Sequence, residues 1–131
     1  DQLATRLTEA AAGRAGDDAV RAMAHAWRGF VLDHPGLYEA TDRYPSAGDL
    51  ELEAAIDRLV GLFGRTLDFY GLDQQHQAHF GRSLRSAIHG FCHLEAASEH
   101  PLPHDLDESF EHLIDLLCAG IGAHQPQEVN R

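Results

Sequence analysis

Lysine is absent from this 131-residue chain, and all ten basic residues are arginine. Aspartate and glutamate together number 21, which gives a formal net charge of −11 at pH 7. A charge of this sign and size repels phosphate groups. We therefore do not expect this stretch of chain to bind nucleic acid by itself.

Cysteine is scarce as well, since the chain has only Cys92 and Cys118. Two cysteines make no disulfide framework, and we interpret both as small buried residues in a reducing, cytoplasmic setting. No apolar run approaches the length of a membrane span, and no signal peptide opens the sequence, so no membrane partner is expected. Hydrophobic residues make up 44% of the chain, which predicts one domain over residues 1–131.

The motifs of the common enzyme classes are missing too. There is no Gly-x-Ser-x-Gly turn, no phosphate-binding glycine loop and no dinucleotide fingerprint. The spacings His-Glu-x-x-His and Glu-x-x-His, which serve zinc and di-iron sites, are also absent. We expect no enzyme, no cofactor and no metal site.

What the chain does have is helical periodicity, without the sustained alternation that strands show. The pattern predicts helices over 2–13, from about Asp17 to His34, from Asp49 to about Tyr70, from about Gln74 to Ser98, and from Asp105 to about Gly120. A short further helix is expected around Leu37 and Tyr38. The predicted fold class is all-α, an antiparallel bundle of about five or six helices.

Particular residues mark the expected helix ends. The predicted N-caps are aspartates: Asp17 or Asp18, Asp49, Asp73 and Asp105. The predicted stops are glycines: Gly71 after one helix, and Gly120 with Gly122 at the last.

Two of these helices carry unusually wide apolar arcs: the one that follows Asp49 and the last one. An arc that covers almost half of the circumference predicts neighbours on more than one side. We favour a second copy of the chain as the extra neighbour, and packing within one chain is the alternative.

The stretch SAIHGFCHLE (86–95) places His89 and His93 one turn apart, with Gly90 beside them. A glycine inside a helix costs about 1 kcal/mol unless a close contact requires it. We therefore interpret this face, which also carries Ala97, as a helix contact. Metal binding through the histidines is the alternative.

Candidates for a ligand pocket come from the aromatic residues and one acid. Glu95 falls on the apolar side of its helix, where a carboxylate must be paired, protonated or facing a cavity. A salt bridge, for example to Arg28, and a role in a pocket are both open. The aromatic candidates for the pocket lining are Trp27, Phe30, Tyr38, Phe63 and Tyr70, for which plain core packing is the alternative.

Three stretches together resemble the C-terminal regulatory domain of tetracycline-repressor (TetR) family transcription regulators. They are AHAWRGFVLDHPGLYEA (24–40), AIHGFCHLE (87–95) and SFEHLIDLLCAGI (109–121). The first is similar to a family helix ending in His-Pro-x-Leu-Tyr, the second to the Trp-His-Gly…Leu-Glu helix of one subgroup, and the third to the final helix. Ile88 stands where that subgroup has tryptophan, so no role of that tryptophan is carried over.

The resemblance implies a homodimer in which the last two long helices pair with their copies. It implies a helix-turn-helix domain upstream of Asp1 that binds operator DNA, and a small, often apolar effector whose binding releases the DNA, as in a repressor. The interface residues expected on this basis are His89, Gly90, His93, Ala97, Leu113, Leu116, Leu117 and Ile121. The pocket would hold the aromatic residues named above and Glu95. The alternative is a stand-alone helical bundle with its own binding function, such as metal binding through histidines.

Overall fold

The computed structural model describes residues 2–34, 50–98, 100 and 102–126. Five helices lie within these ranges: α1 (Gln2–Ala11), α2 (Gly16–Asp33), α3 (Leu50–Asp68), α4 (Gln74–Ala96) and α5 (Leu106–Ala123). The described residues contain no strand, so the all-α prediction is confirmed. The helix expected around Tyr38 and the cap expected at Asp49 lie outside the described residues.

Helix α2 is the centre of the bundle, because it packs against each of the other four helices. Its residues Val20, Met23, Ala24, Trp27 and Val31 all belong to one buried cluster, joined there by residues of every other helix. The spacing of these residues in the sequence forms an apolar stripe along one face of α2, which is the reason for this position. Nowhere in the described ranges does a helix combine the length and apolarity that crossing a bilayer requires.

Aspartates cap two helices as predicted. The Asp73 carboxylate accepts a hydrogen bond from the His76 backbone N–H at 2.8 Å, at the start of α4. The Asp105 carboxylate accepts one from the Asp107 N–H at 2.9 Å, at the start of α5. Each bond satisfies one of the backbone donors that a helix start leaves free.

The predicted cap of α2 at Asp17 or Asp18 is wrong, because both residues lie inside the first turn. The helix begins at Gly16, whose φ of +58° is a conformation that favours glycine. A Cβ at this position would lie 2.6 Å from Cε1 of the Phe69 ring, so the ring closes over the bare backbone. The Asp17 carboxylate is engaged elsewhere and accepts a hydrogen bond from the Tyr70 hydroxyl.

The predicted stop at Gly71 is confirmed: its φ is +66°, just beyond the end of α3. The predicted stop at Gly120 and Gly122 is wrong, because α5 runs through both to Ala123. Ile121 lies between them and is buried in the core. Anchoring that side chain outweighs the roughly 1 kcal/mol by which each glycine disfavours a helix.

Candidate functional site

Trp27 lies in the core beside residues of α3 and α4. Its ring centroid is 6.1 Å from that of Phe63, and 6.5 Å from that of His89 in an edge-on arrangement. The side chain is almost fully buried, with 3% of the residue exposed. Trp27 and Phe63, both predicted for the pocket lining, therefore lie side by side, and His89, predicted for the interface, lies next to them.

The indole Nε1–H of Trp27 is buried and has no hydrogen-bond partner in the described part of the chain. No other buried side-chain nitrogen or oxygen among the described residues is in this condition. A buried donor left unpaired costs about 1–3 kcal/mol, and most buried polar groups find a partner. This indole is therefore the polar group of the core that most needs an acceptor.

Two other predicted lining residues lie away from Trp27. Phe30 is buried against other groups: its ring stacks on His34 with centroids 4.8 Å apart, and the Arg6 guanidinium lies 5.5 Å from it. Tyr70 is bound to Asp17, which precedes Trp27 by ten residues and so by roughly 15 Å along α2. The aromatic residues thus do not form a single wall, and Tyr38 lies outside the described residues.

Of the two roles that the sequence left open for Glu95, the salt bridge to Arg28 is present. Arg28 donates from Nε and Nη2 to the two carboxylate oxygens of Glu95, both at 2.8 Å, and from Nη1 to Asp107 at 2.7 Å. The side chains of Arg28 and Glu95 are only 10% and 12% exposed. The hydrogen bonds that Arg28 donates to Glu95 and then to Asp107 raise the pKa of Arg28 despite its burial. The role of Glu95 in a pocket stays a prediction.

The pair belongs to a longer row of charges between α2 and α5. Arg21 binds Glu111 and, at 2.7 Å, Asp115, while His25 also contacts Glu111. The sequence analysis missed this row. Its signal was the spacing of Asp107, Glu111 and Asp115 at intervals of four, matched by basic residues on α2.

Both cysteines are buried and free, as predicted. Burial is the main cause that raises the pKa of Cys92 to about 12, and the negative charge of Glu95 adds to it. Burial likewise raises the pKa of Cys118 to about 11. Neither thiol is therefore an activated nucleophile at neutral pH.

Five of the eight residues predicted for the dimer contact belong to a surface with open space and exposed leucines, which we call the outer apolar face. It is formed by Gly90 and Leu94 of α4, by Ala97 just beyond the end of α4, and by Leu113, Leu116 and Leu117 of α5. A Cβ at Gly90 would meet no atom within 4 Å. Leu116 is 71% exposed and Leu94 is 39% exposed.

Three residues of the predicted interface have other surroundings. Ile121 is 1% exposed, so its own chain already covers it. His89 is directed at Trp27, on the side of α4 that faces α2, rather than lying opposite the core. His93 stacks on His89 with ring centroids 6.1 Å apart, and both are half-buried. Among the described residues, no three His, Cys, Asp or Glu side chains are placed to hold a metal ion.

A groove that the sequence did not predict lies between α1 and α3, with a volume of about 470 Å³. Its lining consists of Ala4, Thr5, Thr8, Glu9, Asp57, Arg58, Gly61 and Arg65. Two acidic and two basic side chains line it, and no aromatic residue does. The groove therefore has charged side chains in its lining, and it contains none of the residues predicted to line the pocket.

The chain matches the family described as "Tetracyclin repressor-like, C-terminal domain" over residues 20–117. It is 37% identical over 122 residues to the uncharacterized HTH-type transcriptional regulator Rv0681 of Mycobacterium tuberculosis, which covers 92% of this chain and 56% of the relative. It is 34% identical over 122 residues to the uncharacterized HTH-type transcriptional regulator YobS of Bacillus subtilis, covering 92% and 61%. The chain thus spans little more than half the length of these relatives.

Proposed function

Because the chain belongs to the tetracyclin repressor-like C-terminal domain family of transcriptional regulators, we propose that it is the regulatory domain of a repressor. In this proposal the domain dimerises through the outer apolar face and binds a small, mostly apolar effector. Operator DNA is bound by a helix-turn-helix domain upstream of Asp1, in the cytoplasm. The chain itself has no enzymatic role.

The observation that most supports a dimer is a difference in burial. The core residues are covered within one chain, whereas leucines of the outer apolar face remain exposed. Single exposed leucines are ordinary on protein surfaces, whereas a group of them on two neighbouring helices marks an interaction site. Gly90 adds the open space that lets a second helix approach closely. In this dimer His93 lies near the edge of the contact. His89 lies beside Trp27, and Ile121 lies in the core.

The charge of −11 supports a division of labour within the whole protein. A domain so acidic repels DNA, so the DNA contacts belong to another, basic domain. The effector acts by binding one spacing of the two DNA-binding domains better than the other. Only that difference in affinity shifts the equilibrium and releases the operator.

The dimer is tested by sedimentation of Leu116→Glu beside the matched control Leu32→Glu. Both leucines are exposed, by 71% and 51%, but Leu32 lies on α2 and outside the outer apolar face. We expect Leu116→Glu to weaken dimerisation at least about tenfold, because it buries a charge in the contact. Leu32→Glu should sediment like the parent. If both variants match the parent at every concentration, the proposed interface is wrong.

The role of the whole protein is tested on the natural gene product. Sequence upstream of Asp1 should encode a basic helix-turn-helix, and the full protein should bind its own promoter region. Absence of both would overturn the proposal of a DNA-binding regulator.

A further inference from the structure

We propose that Trp27 is the hydrogen-bond donor for the effector, which is therefore an uncharged, largely apolar molecule with an acceptor oxygen such as a carbonyl. This inference rests on the proposed function and specifies the chemistry of its ligand. The observation behind it is the Nε1–H of Trp27, buried and without a partner among the described residues. A ligand oxygen that accepts a hydrogen bond from this N–H removes the free-energy cost of leaving the donor buried and unpaired.

The surroundings of the indole favour an apolar molecule. Phe63 and His89 lie against its ring, and Ile88 belongs to the same buried cluster. Such walls contribute by excluding water from ligand carbon atoms, at about 25 cal/mol per Å². A hydrocarbon of the same size would gain this term but would leave the donor unpaired.

A buried carboxylate would need a cationic partner, which Arg28 does not offer. Arg28, the neighbour of Trp27 in the chain, already binds Glu95 with two nitrogens and Asp107 with the third. An anionic ligand that paired with Arg28 would have to displace Glu95 and leave a buried charge without its partner, which is strongly unfavourable. The groove between α1 and α3 has neither Trp27 nor any other aromatic residue in its lining, so it does not offer this donor to a ligand.

The route to the indole passes beside His89. This imidazole lies edge-on to Trp27 and is half-buried, whereas the indole is almost fully buried. Rotation of a side chain is faster and requires less energy than displacement of a helix. The effector would enter where His89 turns aside, between α2 and α4.

The experiment uses the fact that Trp27 is the only tryptophan of the chain, so its fluorescence reports on this site alone. The probes are 2-heptanone, heptane and heptanoate, which share a chain length and differ in the acceptor and its charge. We expect 2-heptanone to change the emission saturably and to bind about 3- to 10-fold more tightly than heptane, the range for one net hydrogen bond. Heptanoate should bind more weakly than the ketone.

Two variants separate the donor from the packing, with thermal stabilisation as the common measurement. Trp27→Phe removes the N–H and keeps an aromatic ring, so the preference for ketone over alkane should disappear. Phe63→Leu is the matched control: it loosens the wall for both probes and should keep the preference. A ketone that binds no better than heptane overturns the inference, and so does a preference that survives Trp27→Phe.

Absence of a saturable response to all three probes also overturns the inference. The sedimentation test of Leu116→Glu and the promoter-binding test do not involve these probes. A chain that dimerises and regulates but ignores the ketone therefore refutes the donor role of Trp27 and leaves the proposed function standing.

Discussion

The two flanks of α5 differ in how far a single chain satisfies them. One flank carries the acids Asp107, Glu111 and Asp115, and each is bound to a basic residue of α2. The other flank carries Leu113, Leu116 and Leu117, and Leu116 remains 71% exposed. On the charged side each of these acids has a partner within the chain, whereas on the apolar side Leu116 is mostly uncovered by the same chain. Internal stability and assembly should therefore respond to different substitutions.

The largest effect should come from Arg28→Met, on the charged side. It leaves Glu95, whose side chain is only 12% exposed, without its bidentate partner. Breaking one half of a buried pair costs about 3–5 kcal/mol of the free energy of unfolding. Urea denaturation at fixed protein concentration measures the loss.

The double variant Arg28→Met/Glu95→Leu is the control, because it removes both charges together. It should recover most of the stability, since apolar replacement of a whole buried pair is often neutral. If Arg28→Met is as stable as the parent, the Glu95 carboxylate is hydrated in the variant. The two flanks of α5 would then differ less than their burial indicates.

The next prediction concerns a substitution on the apolar side that should raise the stability of the chain but weaken dimerisation. Gly90→Leu should raise the intrinsic stability of α4 by about 0.8–1 kcal/mol, because a Cβ there meets nothing in its own chain. The same side chain would obstruct a second helix, so dimerisation should weaken at least about tenfold. Sedimentation equilibrium and urea denaturation separate the two effects.

Gly29→Leu is the matched control for Gly90→Leu. Gly29 lies within α2, and a Cβ there also meets no atom within 4 Å, but it is not part of the outer apolar face. It should stabilise its helix and leave the dimer unchanged. Equal effects of both variants on association would refute the outer apolar face as the contact.

A smaller loss should follow Glu111→Gln, which removes the shared partner of Arg21 and His25. These side chains are all more than a third exposed, so solvent screens the pair and the cost should be about 0.2–1 kcal/mol. Because salt screens it further, the difference from the parent should shrink at 1 M salt. A loss that salt does not reduce would indicate packing instead of charge.

The smallest expected signal is the reactivity of the two thiols. With pKa values near 12 and 11, Cys92 and Cys118 are almost entirely protonated at pH 8, and both are buried. A thiol reagent should therefore modify native protein only as fast as it opens. Ala97→Cys, on the outer apolar face, should react quickly at low protein concentration and slowly once the dimer forms. Rapid labelling of Cys92 would show that the inner side of α4 is not sealed.

The raised thiol pKa values also set the direction of a pH effect. A cysteine of the unfolded chain ionises near pH 8.5, whereas Cys92 in the fold does so only near 12. This stabilising difference is fully present below pH 8.5 and is lost as the pH rises towards 12. The free energy of unfolding should fall across that alkaline range, and less so in Cys92→Ala.

Local chemistry explains which features the sequence could predict. The caps at Asp73 and Asp105 and the stop at Gly71 depend on a few adjacent residues, and all three are confirmed. The salt bridge of Glu95 could be anticipated because a buried carboxylate requires a partner, and Arg28 borders the stripe of α2.

The features that the sequence could not give depend on contacts between distant segments. The start of α2 at Gly16 lies under the ring of Phe69, which comes 53 residues later in the chain. His89 lies beside Trp27 because Leu84, Ile88 and Cys92 are the buried residues of α4, and α2 packs near that side of the helix. A helical wheel does not show where that side falls, since the neighbouring helix decides it.

The Phe69 ring over Gly16 has a consequence for which substitutions these two positions can accept during evolution. Two separate barriers hold position 16, because a new side chain would meet the ring and would also have to adopt a positive φ. Replacement of Phe69 by a smaller residue removes the steric contact but leaves the requirement for a positive φ. Position 69 should therefore accept smaller residues long before position 16 accepts anything but glycine, and among descendants of this chain the glycine should outlast the ring that covers it.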